Sequence, residues 1–419
     1  MLTHREQGMA LEPSPVDFSR MTRFSLPVAL LALLAACADS LATPAPVPFD
    51  NPAPDGSAQP SLAVGRDGRL WMSWLVAQGD TSHALMVASR NAGTWSAPHR
   101  VTAGADLFAN WADVPILAES RTGMLAAAWL SRGPNAHGYN LRLATSRDSG
   151  TTWSAPSMPH TDGTDTEHGF ISWMVTGDSL ELAWLDGRNF ALADSARHKM
   201  QLAWTMLGSD GMPRRELMLD DQICDCCQTS ATTMGNTQLI AYRNRTDKEI
   251  RDIQVIRLRN GIVMQPVVVG ADNWHIAGCP VNGPAIAARD GRVVVAWFSA
   301  PNDSARVRLA WSADSGATFG PPVAINEGRA EGRVGAVITP TGDALVSWVE
   351  TSTTGSVLFV RRVSASGTRG APVEIARSSA GKRAAGFAKL VALEHEAVLA
   401  WTDPTTKRVR TASIGYGAK

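Results

Sequence analysis

From residue 61 onward the chain is a succession of short apolar runs separated by polar turns that carry Gly, Asp and Asn. Ser61 to Val64, Leu70 to Leu75 and Leu85 to Ser89 are the first three runs. Pro284 to Ala288, Val293 to Phe298 and Val307 to Ser312 repeat them. They are rich in Ala, Val, Leu and Trp with little polar alternation, the pattern of strands covered on both faces. In each unit the second run holds a small residue followed by an aromatic one. These aromatics are Trp74, Trp129, Trp184, Tyr242, Trp297, Trp348 and Trp401, at intervals of 55, 55, 58, 55, 51 and 53 residues. A four-strand unit repeated at this length predicts an all-β fold, a β-propeller of four-stranded antiparallel blades. Seven units predict seven blades, with six as the alternative if one unit is an insertion. The aromatic series reads as core packing. The last unit stops after Val409 to Ile414, so its outermost strand must come from the N-terminal side, and Val47 to Asp50 is the expected closing strand.

The turns between third and fourth runs have their own grammar. In Ser146-Arg147-Asp148-Ser149-Gly150-Thr151-Thr152-Trp153 the aspartate can accept from the turn's own N–H groups, and Ser146 and Thr151 can add hydroxyls. Gly150 supplies a left-handed position and Trp153 leaves the turn as an apolar anchor. The pattern returns as Ser312-Ala313-Asp314-Ser315-Gly316-Ala317-Thr318-Phe319, and in shortened form from Ser89 to Trp95. Here the chain resembles the Asp-box, or bacterial neuraminidase repeat, proteins, the sialidase-like β-propellers. In that family the box is structural, so it argues for the fold and leaves the chemistry to other residues.

The N-terminal part reads differently. Residues 1 to 20 are polar and are expected to lie upstream of the true start, Met21. Residues 21 to 36 form a charged n-region and a short apolar h-region, a secretory signal too short to span a bilayer. It ends in Leu34-Ala35-Ala36-Cys37, which resembles a bacterial lipobox and implies acylation of Cys37. Ala38 is not the aspartate of inner-membrane retention, so the resemblance implies outer-membrane anchoring, facing periplasm or exterior. Residues 37 to 60 are expected to be a Pro-, Ala- and Ser-rich tether, and 61 to 419 the propeller. Charge is balanced at 39 basic against 39 acidic residues with no basic run, which argues against a nucleic-acid partner. A monomer is expected.

Up-and-down connectivity places the turns between strands 1–2 and 3–4 at one end of each blade, and the 2–3 and 4–1 connections at the other. The second end collects Trp111 and Asp113, Tyr139, Glu167 and His168, Asp186 and Arg188, Cys224 to Cys227, Arg243 to Asp252, and His275 to Pro284. Loops on a rigid ring are where binding and catalysis usually sit. The resemblance implies an exo-α-sialidase type of glycoside hydrolase acting on an acidic sugar, with no cofactor required. Arg188, Arg243 and Arg251 would grip the sugar carboxylate, with Trp111 and Tyr139 as further substrate contacts. Glu249 would partner a tyrosine nucleophile, and Tyr242 stands in a core slot. The first unit reads Gln59-Pro60-Ser61-Leu62 where the family carries Arg-Ile-Pro. A carboxylate pair drawn from Asp113, Glu167, Asp186 and Glu249 is the other route to glycoside cleavage, and His168 is a candidate acid/base. A non-catalytic propeller that binds glycan or protein is a second possibility.

Besides Cys37, four cysteines occur, Cys224, Cys226, Cys227 and Cys279. Outside the cytoplasm they are expected to form two disulfides, with one of Cys226 and Cys227 bonded to Cys279 and the other to Cys224. The alternatives are a Cu or Zn site formed with His275, His168 or Glu167, and a redox-active thiol pair.

Overall fold

Residues 41–134, 138–379 and 386–416 are described by a computed structural model. The expected upstream segment, the signal and Cys37 lie outside the described residues. Each apolar run pairs antiparallel with the next along the chain, and seven sheets result. They are blade 1 (57–104), blade 2 (116–157), blade 3 (168–223), blade 4 (230–270), blade 5 (285–324), blade 6 (329–378) and blade 7 (389–415 with 47–49). In blade 2 the fourth position is a single bridge, Leu143 to Ser157.

The innermost strands are Ser57–Val64, Ile116–Glu119, His168–Thr176, Ser230–Met234, Ala285–Arg289, Arg329–Ile338 and Lys389–Ala392. Each touches the next, and the last touches the first. The ring is therefore closed with seven blades, and none of the seven units is an insertion.

Facing sheets explain why the second strands are apolar on both sides. Trp74, Trp184, Trp297, Trp348 and Tyr242 are fully buried, and the clusters around them mix residues of adjacent blades. Leu130 and Leu141 of blade 2, for example, pack with Leu182 and Trp184 of blade 3. Burying one such side chain stabilises by about 1.5–3 kcal/mol. The Tyr242 hydroxyl donates to Asp220 of blade 3 (2.6 Å) and lies 3.0 Å from Gln254 Oε1 of its own blade, so this phenol is a core group.

Closure uses Val47–Phe49, which pairs with Arg408–Gly415 in the register Val47↔Ser413 to Phe49↔Thr411. Asn51 Nδ2 donates to Val409 O (3.1 Å), and the Thr411 hydroxyl donates to Phe49 O (2.6 Å). Residues 57–60, expected in the tether, instead begin the inner strand of blade 1. Pro60 is accommodated there by a bulge between Ala58 and Ser61, with Gln59 at φ 55°.

The Ser146–Trp153 turn is held by its aspartate. Thr152 donates to Asp148 from its N–H (2.9 Å) and its hydroxyl (2.6 Å), and Ser146 Oγ donates at 2.8 Å. Thr152 thus supplies the side-chain contact expected of Thr151, whose hydroxyl turns to the Asp148 carbonyl. The same bonds join Thr318 and Ser312 to Asp314. In both turns the threonine hydroxyl is the main reason the carboxyl is held down to about 2.

Candidate functional site

Three groups of side chains meet at the end of the ring formed by the 2–3 loops and the connections between blades. The first belongs to blade 3. Asp186 ends the strand Ser179–Asp186 and is fully buried. It accepts from Trp184 Nε1 (2.9 Å), Arg188 N–H (3.1 Å) and the Arg188 guanidinium (2.7 and 2.8 Å). Arg188 also bonds Glu216. Burial alone would raise the Asp186 carboxyl, but the Arg188 bonds and the His168 ring outweigh it and hold it below its ordinary value. His168 stacks on His160 with ring centroids 3.9 Å apart, and both rings reach Asp162, at 3.3 and 2.7 Å. This group is an internal brace. Arg188 and Asp186 satisfy each other, and the His168 ring is walled in.

The second group belongs to blade 4. Arg243 is buried and donates to three carbonyls, Asn282 O (2.8 and 3.1 Å), Arg251 O (2.7 Å) and Phe298 O (2.6 Å), with its guanidinium 4.9 Å from the Trp274 ring centroid. Arg251, also buried, bonds Glu249 (2.8 Å), Asp225 (3.4 Å) and Cys224 Sγ (3.2 Å). Glu249 receives Arg245 as well (2.7 Å), mainly for which reason its carboxyl lies below its ordinary value. Arg188, Arg243 and Arg251 therefore do not converge on one ligand carboxylate. Each is turned into the ring by partners from other loops, and Glu249 neutralises two guanidinium groups.

The third group lies at the junction of blades 2 and 3. The backbone at Tyr139, which opens the third strand of blade 2, forms a parallel bridge with that at Glu167 before blade 3, and Gly169 lets the chain approach closely. A Cβ at Gly169 would stand 2.2 Å from Asp113 Oδ2 and 2.9 Å from Tyr139 Cε2. Asp113 is buried behind the tyrosine and accepts from Phe170 N–H at 2.5 Å. Burial pushes its carboxyl up to about 7, against the opposing pull of the Phe170 N–H and the Lys389 ammonium. Burial likewise raises the Tyr139 phenol, with the charges of Asp113, Glu167 and Cys226 adding to it.

Two cavities open beside these groups. One of about 510 Å³ is lined by Asn110, Arg132, Tyr139, Glu167, Asp225 and Cys226. The other, about 990 Å³, is lined by Trp111, His275, Cys279, Glu331 and Arg333 among others. Arg333 stands 5.5 Å from the Trp111 ring and 5.9 Å from Phe387, which themselves stack. Its φ of 56° is fixed by Asn282 Oδ1, which accepts its N–H at 2.7 Å.

Of the carboxylates expected at the site, Glu167 lines the first cavity, whereas Asp113, Asp186 and Glu249 do not. Asp225, Arg132 and Arg333 were not anticipated. Asp225 stands inside the cysteine motif, and its use as a carboxylate was masked by the thiols around it.

All four described cysteines are free thiols, so the expected pairings are not formed in the structure. Cys224 Sγ lies 3.5 Å from Cys227 Sγ and 3.9 Å from Cys226 Sγ. Hydrogen bonds from its two neighbours hold the Cys224 thiol far below its ordinary value. Burial raises Cys227, and the bond to Cys224 raises Cys226. Neither His275, which bridges Ile250, nor His168 is grouped with these sulfurs.

Asp113 makes stability depend on pH in a defined direction. Its raised carboxyl keeps a proton that the unfolded chain has released between about pH 4 and 7, so the native state loses stability as pH rises through that window. Asp113→Asn removes the charge and can still accept from Phe170. It is expected to flatten that slope and to be more stable than the parent at pH 8 by about 1–3 kcal/mol. Urea midpoints at pH 5 and pH 8 test this, and an unchanged slope in the variant would refute it.

No protein-family model matches the chain, and no curated protein matches it in sequence. Among solved structures it is similar to the polysaccharide lyase Uly1, with a TM-score of 0.52 and 8% identity over 85% of this chain and 89% of that one. It is also similar to a protein of unknown function from Dyadobacter fermentans, with a TM-score of 0.48 and 13% identity over 89% of this chain and 98% of that one. The NanB sialidase of Streptococcus pneumoniae has a TM-score of 0.48 and 10% identity, over 91% and 96% of the two chains. At such identities the likeness to Uly1 is one of fold, and it joins the closed ring of seven antiparallel blades in fixing the architecture of this chain.

Proposed function

We propose that the chain is a glycoside hydrolase of the exo-α-sialidase type that acts on acidic sugars at the cell envelope, with its reacting centre at Tyr139 and Glu167. The observation that carries this reading is a tyrosine and a glutamate that backbone pairing sets side by side on the wall of one open cavity, near enough for the Glu167 charge to act on the phenol. Because burial raises it, Tyr139 is a neutral phenol at ordinary pH and needs a base to attack. Glu167 takes the phenol proton as Tyr139 Oη bonds to the anomeric carbon and the bond to the leaving oxygen breaks. Water then cleaves the glycosyl–tyrosine bond, keeping one hydrogen in the new sugar hydroxyl and releasing the other proton to solvent, and Glu167 returns the phenol proton to the phenolate. A phenolate leaving group departs without protonation, so this pair alone suffices for an aryl glycoside. Arg132, on the same wall and 4.5 Å from the Phe108 ring centroid, is the guanidinium placed to receive a sugar carboxylate.

The test is hydrolysis of a fluorogenic aryl α-sialoside, beside a panel of neutral glycosides, by the full chain extracted in detergent. Tyr139→Phe is expected to lower kcat at least about 10³-fold and Glu167→Gln about 10²–10⁴-fold. Turnover preserved in both variants would reject this centre. Absence of turnover on every glycoside, with glycan binding retained, would leave a binding propeller.

A further inference from the structure

The cysteine cluster at the mouth of the ring has a geometry that the proposed glycosidase chemistry does not use. We propose that Cys224, Cys226 and Cys227 bind one soft metal ion, Cu(I), through three sulfurs. The three Sγ atoms all lie within 4.8 Å of one another, with edges of 3.5 and 3.9 Å from Cys224. Metal–sulfur bonds of about 2.3 Å in a trigonal plane span sulfur–sulfur edges of about 4 Å, so small side-chain adjustments close the site.

The surroundings favour sulfur in its anionic form. Arg251 donates to Cys224 Sγ (3.2 Å), and the Asn282 N–H points at Cys227 Sγ (3.4 Å). The Arg251 and Arg243 guanidinium groups are both buried. Binding sends to solvent whichever thiol protons the three sulfurs still hold, and the resulting Cu(I)–thiolate unit carries a net charge of −2, which the two arginines offset.

Three features select the ion. Thiolates without histidine are soft donors, which suit Cu(I). Among the described residues no fourth Cys, His, Asp or Glu is grouped with all three sulfurs, whereas structural Zn(II) takes four ligands. Cys226 is only partly buried and lines the 510 Å³ cavity, which supplies a path of entry. The exposed Cys279 sulfur is grouped with Cys226 and Asp225 but not with Cys224 or Cys227, so it stands outside the three-sulfur set.

The inference is independent of the glycosidase reading and is tested by metal binding alone. The full chain, reduced and handled anaerobically, is titrated with Cu(I) in competition with a bicinchoninate or bathocuproine chelator. X-ray absorption of the loaded chain reads the ligand set without any mutation. The expected result is one Cu(I) per chain with three sulfur scatterers. Cys224→Ser, Cys226→Ser and Cys227→Ser are each expected to weaken binding by about 100-fold or more, while Cys279→Ser and His275→Ala leave it within about threefold. Loss of Cu(I) binding in Cys279→Ser equal to that in Cys227→Ser would overturn the assignment. So would Zn(II) retained against excess Cu(I), nitrogen in the copper shell, or no competition with the chelator by a fully reduced chain.

Discussion

Arg243→Ala is expected to destabilise the propeller by about 4 kcal/mol, among the largest losses available from a single substitution outside the apolar core. The guanidinium reaches three carbonyls in three separate segments, Asn282 O before blade 5, Arg251 O within blade 4 and Phe298 O in a strand of blade 5. Truncation leaves those oxygens buried without a donor, each at about 1–3 kcal/mol. It also removes the cation from the Trp274 face. Part of this is returned because a buried charge disappears with the side chain. Arg243→Lys keeps the charge but can serve fewer of the carbonyls from one nitrogen, and should lose about half as much. Urea unfolding followed by tryptophan fluorescence measures both. A loss below about 1 kcal/mol in Arg243→Ala would mean that Arg243 is available to a ligand after all.

Gly283→Ala should be comparably damaging for a steric reason. A Cβ at Gly283 would stand 2.0 Å from Gln228 O and within 2.8 Å of two further backbone atoms of Gln228. None of these is the far end of a flexible side chain, so one connection must move. Gln228 is not free to do so. Its amide accepts from Gly283 N–H (3.0 Å) and donates to Ala112 O (2.8 Å), which links the entries to blades 2, 4 and 5 around the mouth. The expected cost is about 3 kcal/mol. The Cu(I) affinity should fall as well, since Asn282 N–H points at Cys227 Sγ. A variant as stable as the parent would show that the two connections are not in contact.

How far the chain can be read without a structure depends on the range of the interaction. The blade repeat was legible because every blade repeats the same local pattern of apolar runs around a buried aromatic. The departure of Tyr242 from tryptophan was also readable, since its slot placed it in the core, where its hydroxyl meets Asp220. Even the closing strand followed from counting, because a blade short of one strand must borrow it. The rim was harder. Arg188, Arg243 and Arg251 look alike along the chain, yet each is engaged by groups far from it in sequence. These are Glu216 for Arg188, Asn282 and Phe298 for Arg243, and Cys224 for Arg251. A guanidinium that grips a ligand and one that ties loops together have the same local sequence. Only the positions of their partners tell them apart. The same is true of the thiols, where proximity of Cys224, Cys226 and Cys227 is local but the donors that surround them come from blade 4 and from the connection to blade 5.

The clasp in blade 7 has a consequence for how the ring is assembled. Six blades are built from consecutive hairpins, but Asn51 and Thr411 meet across 360 positions. Bringing such distant segments together carries the largest loop-closure entropy in the molecule, so the clasp is expected to form last, after the other blades have stacked. Until then the strand Arg408–Gly415 presents an open edge, and the segment Val47–Phe49 of a second copy fits it as well as the chain's own. Refolding at high concentration should therefore divert chains into clasp-exchanged dimers, whereas dilution favours the singly closed ring.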